Sequence, residues 1–338
     1  VREIKNQEFR VGLTPSCVKS YKTHGHEVLV EAGAGREAGF EDGEYAAAGA
    51  TLVTSAKEDF GACDMMVKVK EPLKEEYDLL QQGQILYTYL HLAANRELTD
   101  LLISRKVKSV AYETIELADG CLPCLRPMSE IAGRLSVQEG AKYLEKTFGG
   151  RGVLLGGVPG VPRGKVAIIG GGTVGLNACK VAVGFGADVT IMDVSAKRLG
   201  YLDDIFSSRI TTLYSNEHNI EKVLAESDLV IGGVLLPGAK APRIIRREHL
   251  KAMKRGAVIV DVAVDQGGCV ETTIPTTHDK PTFVVDGVVH YCVANMPGAV
   301  ACSSTVALDS TTLPYGLMIA DKGLEEACSA NEALARGV

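Results

Sequence analysis

The chain has 338 residues, a net charge of −6, and 46% hydrophobic against 23% charged residues. That length allows roughly two domains with sizeable cores. An acidic balance without a long basic block argues against nucleic acid or an anionic membrane as partner, and no apolar run is long enough to span a bilayer. Nine cysteines lie scattered, with only Cys121 and Cys124 close together, which suits a reducing cytoplasm better than a disulfide framework. No signal peptide is visible, and opening at Val1 rather than Met suggests that the first residues are missing.

The first 125 residues alternate short strands and helices. Glu8-Phe-Arg-Val leads to Thr14-Pro15, a helix start with proline at the first helical position, and Cys17 to Thr23 is the expected helix, ended by Gly25. His26 to Glu31 alternates as a strand, Gly33 to Gly43 is a glycine-rich loop, Glu44 to Ala48 is helical and Ala50 to Val53 is a strand. Met65 to Lys70 is a strand stopped by Glu71-Pro72, and Lys74 to Gln82 is helical. Gln84 to Leu90 is a strand leading into His91, Arg96 to Arg105 a helix, and Ser109 to Glu113 a strand. The pattern predicts a parallel or mixed sheet covered by helices. A long helix follows over Pro127 to about Thr147, with Gly149-Gly150 past its end.

After a Gly/Pro loop from Gly156 to Gly164, Lys165-Val-Ala-Ile-Ile enters Gly170-Gly-Gly-Thr-Val-Gly175, which fits G-x-G-x-x-G at Gly170, Gly172 and Gly175. Leu176 to Phe185 then forms a helix, and a second strand from Val189 ends in Asp193. Gly170 permits the tight turn, Gly172 lets a pyrophosphate approach the backbone, and Gly175 lets the helix pack on the sheet. The phosphates rest on free amides at the helix start. Asp193 stands where an acid receives the ribose hydroxyls, and its charge favours NAD over NADP, although Lys197 and Arg198 close behind weaken that preference. A glycine loop alone is a weak signal; strand, glycines, helix, strand and acid in one unit make a dinucleotide site the better reading.

The α/β rhythm continues with helices at Ala196 to Phe206, Ile220 to Ala225 and Arg246 to Met253. Strands are expected at Ile210 to Tyr214, Asp228 to Leu235, Ala257 to Asp265, Thr282 to Asp286 and Val288 to Cys292. Ser304 to Leu308 and Tyr315 to Asp321 are expected as two helices.

Ligands of open α/β sheets bind beyond the carboxyl ends of the strands, where Lys70, His91 and Asp265 stand. Lys70 suits a substrate carboxylate, and equally a solvated strand-end lysine like Lys68. His91 suits proton transfer near neutral pH, while a core histidine satisfied by backbone fits its position at least as well. Asp265, before two glycines, is the better candidate to meet a cofactor or substrate, and Asp261 on the same strand is the structural acid. Cys121-Leu-Pro-Cys124 lacks a second ligand pair for zinc, so structural cysteines are the safer reading.

The stretches Lys5 to Pro15, Val67 to Pro72, Tyr89 to Ala94, Gly149 to Gly160, Asp261 to Cys269 and Val293 to Pro297 together resemble alanine dehydrogenase along the whole chain. The resemblance implies reversible NAD-dependent oxidative deamination of L-alanine to pyruvate and ammonium. It implies two Rossmann-like doubly wound α/β domains, the NAD-binding domain (126–298, with its linking helix) inserted in a substrate domain (1–125 and 299–338). By the same resemblance Arg10 and Lys70 hold the substrate carboxylate, His91 is the general acid/base and Asp265 the second catalytic residue. Cofactor contacts are expected from Ser129, Gly170, Gly172, Thr173, Val174, Gly175, Asp193, Arg198, Ser215, Val234 and Leu235. Further contacts are expected from Val262, Ala263, Val264 and Asp265, and from Val293, Ala294, Asn295 and Met296. A cytoplasmic homohexamer is implied, with no nucleic acid or membrane partner. Family members begin a few residues earlier and run some tens of residues further, so both ends are expected to be truncated. Ala301-Cys302 stand where the family often has a second proline. Met318 and Lys322 stand where some members carry metal ligands, so no such metal is expected.

Two other readings remain. One is the soluble NAD(H)-binding subunit of a proton-translocating transhydrogenase, which would not need Arg10, Lys70 and His91 together. The other is a catalytically idle nucleotide-binding protein.

Overall fold

Two stretches of chain far apart in sequence, Val1–Met128 and Gly298–Val338, form one compact unit, and Ser129–Pro297 forms the other. The computed structural model describes residues 1–234 and 241–338.

The first unit opens with Glu8 to Val11, which carries no ladder pairing. Helix α1 (Pro15–Thr23) starts because Thr14 accepts the Cys17 amide through its hydroxyl and Pro15 occupies the first helical position. Strands β1 (Leu29–Glu31) and β2 (Thr51–Val53) pair in parallel, joined by α2 (Asp42–Ala47). Helix α3 (Ala56–Ala62), capped by Ser55, was not expected from sequence. Strands β3 (Met65–Val67), β4 (Ile85–Thr88) and β5 (Lys108–Ala111) form a parallel sheet in the order β3-β4-β5, with α4 (Arg96–Ser104) between the last two. All of these strands are shorter than their apolar runs suggest. Lys70 and His91 therefore stand three residues past the ends of β3 and β4, in connecting turns.

Helix α5 (Arg126–Tyr143) starts in the last residues of the first stretch, and its part from Ser129 on, in the second unit, lies against the nucleotide fold through glycines. A Cβ at Gly133 would stand 2.3 Å from the Val174 carbonyl oxygen, and one at Gly140 would stand 2.5 Å from the Leu229 side chain. Strand β6 (Lys165–Ile169), helix α6 (Thr173–Gly184), β7 (Asp188–Asp193), α7 (Ala196–Phe206), β8 (Thr211–Tyr214), α8 (Glu217–Glu226) and β9 (Leu229–Gly232) follow as regular βα units. Then come α9 (Arg247–Leu250), β10 (Val258–Asp261), β11 (Thr282–Val285) and β12 (Val288–Tyr291). The seven-stranded sheet has the order β11-β12-β10-β9-β6-β7-β8, parallel except for the edge strand β11. The order reverses beside β6, which places the topological switch point, and hence the binding crevice, at its carboxyl end. The core strands are apolar on both faces because helices cover both, as in β9 and β10, where every residue is buried.

The chain then returns to the first unit. Residues Ala301–Lys322 form one helix, α10, in place of the two expected ones, and it runs through Pro314. Packing outweighs the missing donor: Leu313, Leu317 and Ala320 lie on the cluster of Val18, Tyr21, Val28 and Tyr45. Tyr87 also donates to the Thr312 carbonyl at 2.9 Å. Two short helices, α11 (Leu324–Ala330) and α12 (Glu332–Arg336), end the chain.

Candidate active site

The turn after β3 carries two lysines with opposite environments. Lys68 is fully buried, with its ammonium 3.1 Å from Glu3 and 2.7 Å from Glu76. Burial works against its charge, but the two carboxylates outweigh it and hold its pKa above the ordinary lysine value. It is thus a buried structural cation, and the solvated strand-end lysine suggested by sequence does not describe it. Glu3 also accepts the Val69 amide at 2.6 Å and the Lys70 amide at 3.2 Å, which fixes the turn. Lys70 itself has no hydrogen-bond or ion-pair partner for its ammonium among the described residues. Burial, then the nearby Arg10 and Lys5, lower its pKa. Its Nζ stands 6.0 Å from the centroid of the Tyr89 ring.

Arg10 is 2% exposed and is gripped by Glu8 through two 2.6 Å bonds from Nε and Nη2. Burial opposes its charge and Glu8 restores it, leaving its pKa raised. Its Nη1 reaches the Met128 sulfur at 3.1 Å. Tyr89, buried beside these groups, donates its hydroxyl to the Cys124 carbonyl at 2.6 Å.

His91 stacks on Tyr89 with ring centroids 6.0 Å apart and planes 13° apart. Its backbone is left-handed, with φ 51°, a strained conformation for a residue with a side chain. Glu113 at the end of β5 holds it there by accepting the amides of Leu90 at 3.1 Å and His91 at 2.6 Å. The side chain remains 45% exposed, so it is not a core histidine satisfied by backbone. Burial and then Lys70 lower its pKa, with Glu113 opposing, so the ring is neutral at pH 7. The first unit therefore gathers Arg10, Lys70 and His91 around Tyr89. Sequence reasoning missed their supports Glu3, Glu8, Tyr89 and Glu113. Glu8 precedes Arg10 by two residues and Glu113 ends an apolar run, and these were the only local signals.

In the second unit Gly170 turns with φ +100°, and a Cβ there would stand 2.8 Å from the Gly233 carbonyl oxygen and 3.0 Å from Val234. A Cβ on Gly175 would stand 1.8 Å from the Gly170 carbonyl oxygen, so only glycine lets α6 approach the turn. Gly172 faces open space, and as N-cap it offers no side chain to the first amides of α6, which include Thr173 and Val174. Asp193 receives the Gly171 amide at 2.7 Å and the Ser195 amide at 2.8 Å, one on each carboxylate oxygen. Lone pairs remain for ribose hydroxyls. Arg198 donates through Nε to the Gly171 carbonyl and through Nη2 to that of Gly172 at 3.4 Å, and lies over Tyr201. Its charge is thus tied to the loop and is not aimed beyond Asp193. Open approach at Gly172, uncapped amides and an acid with spare acceptor capacity fit a dinucleotide without a 2′-phosphate.

Other expected cofactor residues follow strands at the carboxyl edge of the same sheet. Ser215 follows β8, Val262 to Asp265 follow β10, and Val293 to Met296 follow β12, with Asn295 left-handed at φ 64°. Ser129 lies half-buried on α5, and Leu235 lies outside the described residues. Strand β10 stops at Asp261, so Asp265 is not the end of a strand: it is exposed on a 3-10 turn, Val264–Gln266. The strand stops early because buried Asp261 draws the chain into a loop, accepting the amides of Ala263, Cys269 and Val270 and the Thr273 hydroxyl. Cys121 and Cys124 are free; burial pushes the Cys124 thiol up to about 12, as in an inert structural cysteine.

The family models described as alanine dehydrogenase/PNT N-terminal and C-terminal domains match residues 1–132 and 136–338. The chain belongs to the alanine dehydrogenase/PNT family. An alanine dehydrogenase of Methanococcus maripaludis is 56% identical over all 338 residues, which span 91% of that relative. A solved structure titled L-alanine dehydrogenase superposes with a TM-score of 0.97 at 56% identity, covering 99% of this chain and 92% of that one. A solved structure titled as the transhydrogenase of Sinorhizobium meliloti superposes with a TM-score of 0.84 at 26% identity, covering 95% of this chain and 93% of that one. No helix among the described residues is long and apolar enough to cross a membrane.

Proposed function

We infer that the chain catalyses the reversible reaction of L-alanine, NAD and water to pyruvate, ammonium, NADH and a proton. The observation that carries this is the unneutralised Lys70 ammonium beside a neutral His91, set across Tyr89. That pair is a carboxylate seat next to a proton-transfer group.

NAD, when bound, supplies the hydride acceptor. We assign its pyrophosphate to the Gly170–Gly175 loop and its adenosine ribose to Asp193. Lys70 receives the substrate carboxylate, and Arg10, held in place by Glu8, adds a second fixed cation. His91 takes the proton from the water that adds to the oxidised substrate carbon and returns a proton as ammonia departs. Its lowered pKa keeps it ready as a base at neutral pH. Asp265, exposed past β10, is assigned as the second catalytic group. Nine free thiols support a cytoplasmic location, and the family resemblance supports a homohexamer, which light scattering would weigh.

The test is NADH oxidation on mixing with pyruvate and ammonium. Ammonium-dependent oxidation, weak with NADPH, is expected, and His91→Ala should bind NADH but turn over poorly. Oxidation without ammonium would indicate a 2-hydroxy-acid dehydrogenase. Hydride exchange between NADPH and an NAD analogue, seen only with membranes, would revive the transhydrogenase reading that the 26% relative suggests.

A further inference from the structure

The edge of the large sheet opposite the glycine loop carries a second concavity, of about 650 Å³. It is lined by Lys146, Arg151, Lys254 and Arg255 together with Gly149, Gly256, Gly287 and Val284. These residues lie where β10 and β12 begin, at the amino ends of the parallel strands.

Four cations meet here with one buried acid between them. Asp228 Oδ1 stands 3.2 Å from Arg151 Nε and 2.9 Å from Lys254 Nζ, while Oδ2 accepts the Lys165 amide at 2.8 Å. One carboxylate thus pins two head groups and cancels one charge. Lys146 and Arg255 have no acidic partner among the described residues. The other acids close along the chain are engaged: Asp286 with Arg247 at 3.2 Å, Glu226 with Lys165 at 2.6 Å, and Glu145 with the Thr147 hydroxyl at 3.5 Å. The backbone enforces the crowding. Gly256 has φ +77°, and a Cβ there would stand 2.9 Å from the Arg151 amide nitrogen. The Gly256 amide bonds the Gly287 carbonyl at 2.7 Å, which closes the floor.

We propose that this pocket binds a small phosphorylated metabolite through its phosphoryl group, separately from the cofactor. Like charges gathered around a concavity repel one another, and a dianion relieves that repulsion. Two arginines offer the planar forks that match phosphoryl oxygens. The volume suits a ligand of metabolite size.

The test uses inorganic pyrophosphate as probe on the full chain saturated with NADH, so that the glycine loop is already filled. Thermal denaturation should shift upward with pyrophosphate beyond sodium chloride at matched ionic strength. The Lys146→Gln, Arg255→Gln double variant removes two exposed, unpartnered cations. Its ligand-free melting temperature should hold or rise, and it should require roughly tenfold or more probe for the same shift, one charge-assisted hydrogen bond corresponding to about that factor. A shift abolished by NADH would place the anion on the cofactor loop and overturn the proposal. So would a shift equal to that of chloride, or one unchanged in the double variant. None of these outcomes depends on alanine turnover, so failure here is distinguishable from failure of the proposed activity.

Discussion

Glu113 Oε1 accepts the backbone amide of His91 at 2.6 Å and lies 4.0 Å from that residue's Nδ1. One carboxylate thus sets both the position of the imidazole and part of its electrostatic surroundings. Glu113 raises the His91 pKa against burial and Lys70. Glu113→Gln keeps an acceptor for the amide but removes the charge, so the His91 pKa falls further. Alanine oxidation needs the neutral ring and is lost as pH falls through that pKa, so the acid limb of kcat/KM should move to lower pH. A limb that stays or moves up would sink the assignment. Glu113→Ala also frees the left-handed turn and should lower kcat on the order of tenfold.

Lys68 and Lys70 should respond oppositely to replacement by methionine. Lys68→Met strands two buried carboxylates and should cost about 3–5 kcal/mol in urea unfolding. Lys70→Met removes a charge with no partner, so stability should hold or rise. The KM for pyruvate should increase roughly tenfold to a hundredfold, the worth of a charged hydrogen bond, with NADH affinity unchanged. Equal stability losses in both variants would show that Lys70 is structural.

The two loop glycines separate in the same way. A Cβ at Gly175 would overlap the Gly170 carbonyl, so Gly175→Ala should unfold at markedly lower temperature. Gly172 has open space around it and φ −66°, so Gly172→Ala should melt as the parent does. Its methyl would fill the room a phosphate needs, and NADH titration should show binding weakened about tenfold or more. Unchanged NADH affinity in Gly172→Ala would move the pyrophosphate elsewhere.

Asp309 on α10 accepts the Thr14 amide at 2.5 Å, while its buried Oδ1 has no hydrogen-bond partner within normal geometry among the described residues. Burial pushes its pKa up to about 6 from 3.8. The folded state therefore holds this proton more tightly than the unfolded chain. The group favours folding fully below about pH 4, and that contribution is lost as pH rises through about 6. Asp309→Asn should be more stable than the parent at pH 8, with the gap closing toward pH 4. A gap that widens on acidification would refute the neutral-acid account.

The nucleotide half was legible because its signal is local. Strand, glycines, helix and acid lie within one βα unit, and Gly175 answers to a clash with Gly170 inside the same loop. The substrate half was legible only in part. Lys68 and Lys70 look alike in sequence, and what separates them is Glu3 and Glu76, which no periodicity points to. Asp265 was misplaced because an apolar run does not reveal that Asp261 would recruit the following amides and end the strand. Ser304 to Leu308 and Tyr315 to Asp321 were read as two helices because the packing that carries one helix through Pro314 is nonlocal. Helix α3 was missed because seven residues with a single buried aromatic carry little pattern.

The first unit is closed by α10, whose Thr305 and Asp309 accept the amides of Val11 and Thr14. The 169 residues from Ser129 to Pro297 lie between the two parts of that unit. At typical elongation rates, synthesis of that stretch lasts roughly ten to thirty seconds. During that interval the earlier segment has left the ribosome with the Val18 and Tyr21 face of α1 uncovered. The intervening unit has every strand it needs and can finish folding first. The order in which the two units are begun is thus not the order in which they can be completed, because the unit begun first waits for its last segment, Gly298–Val338.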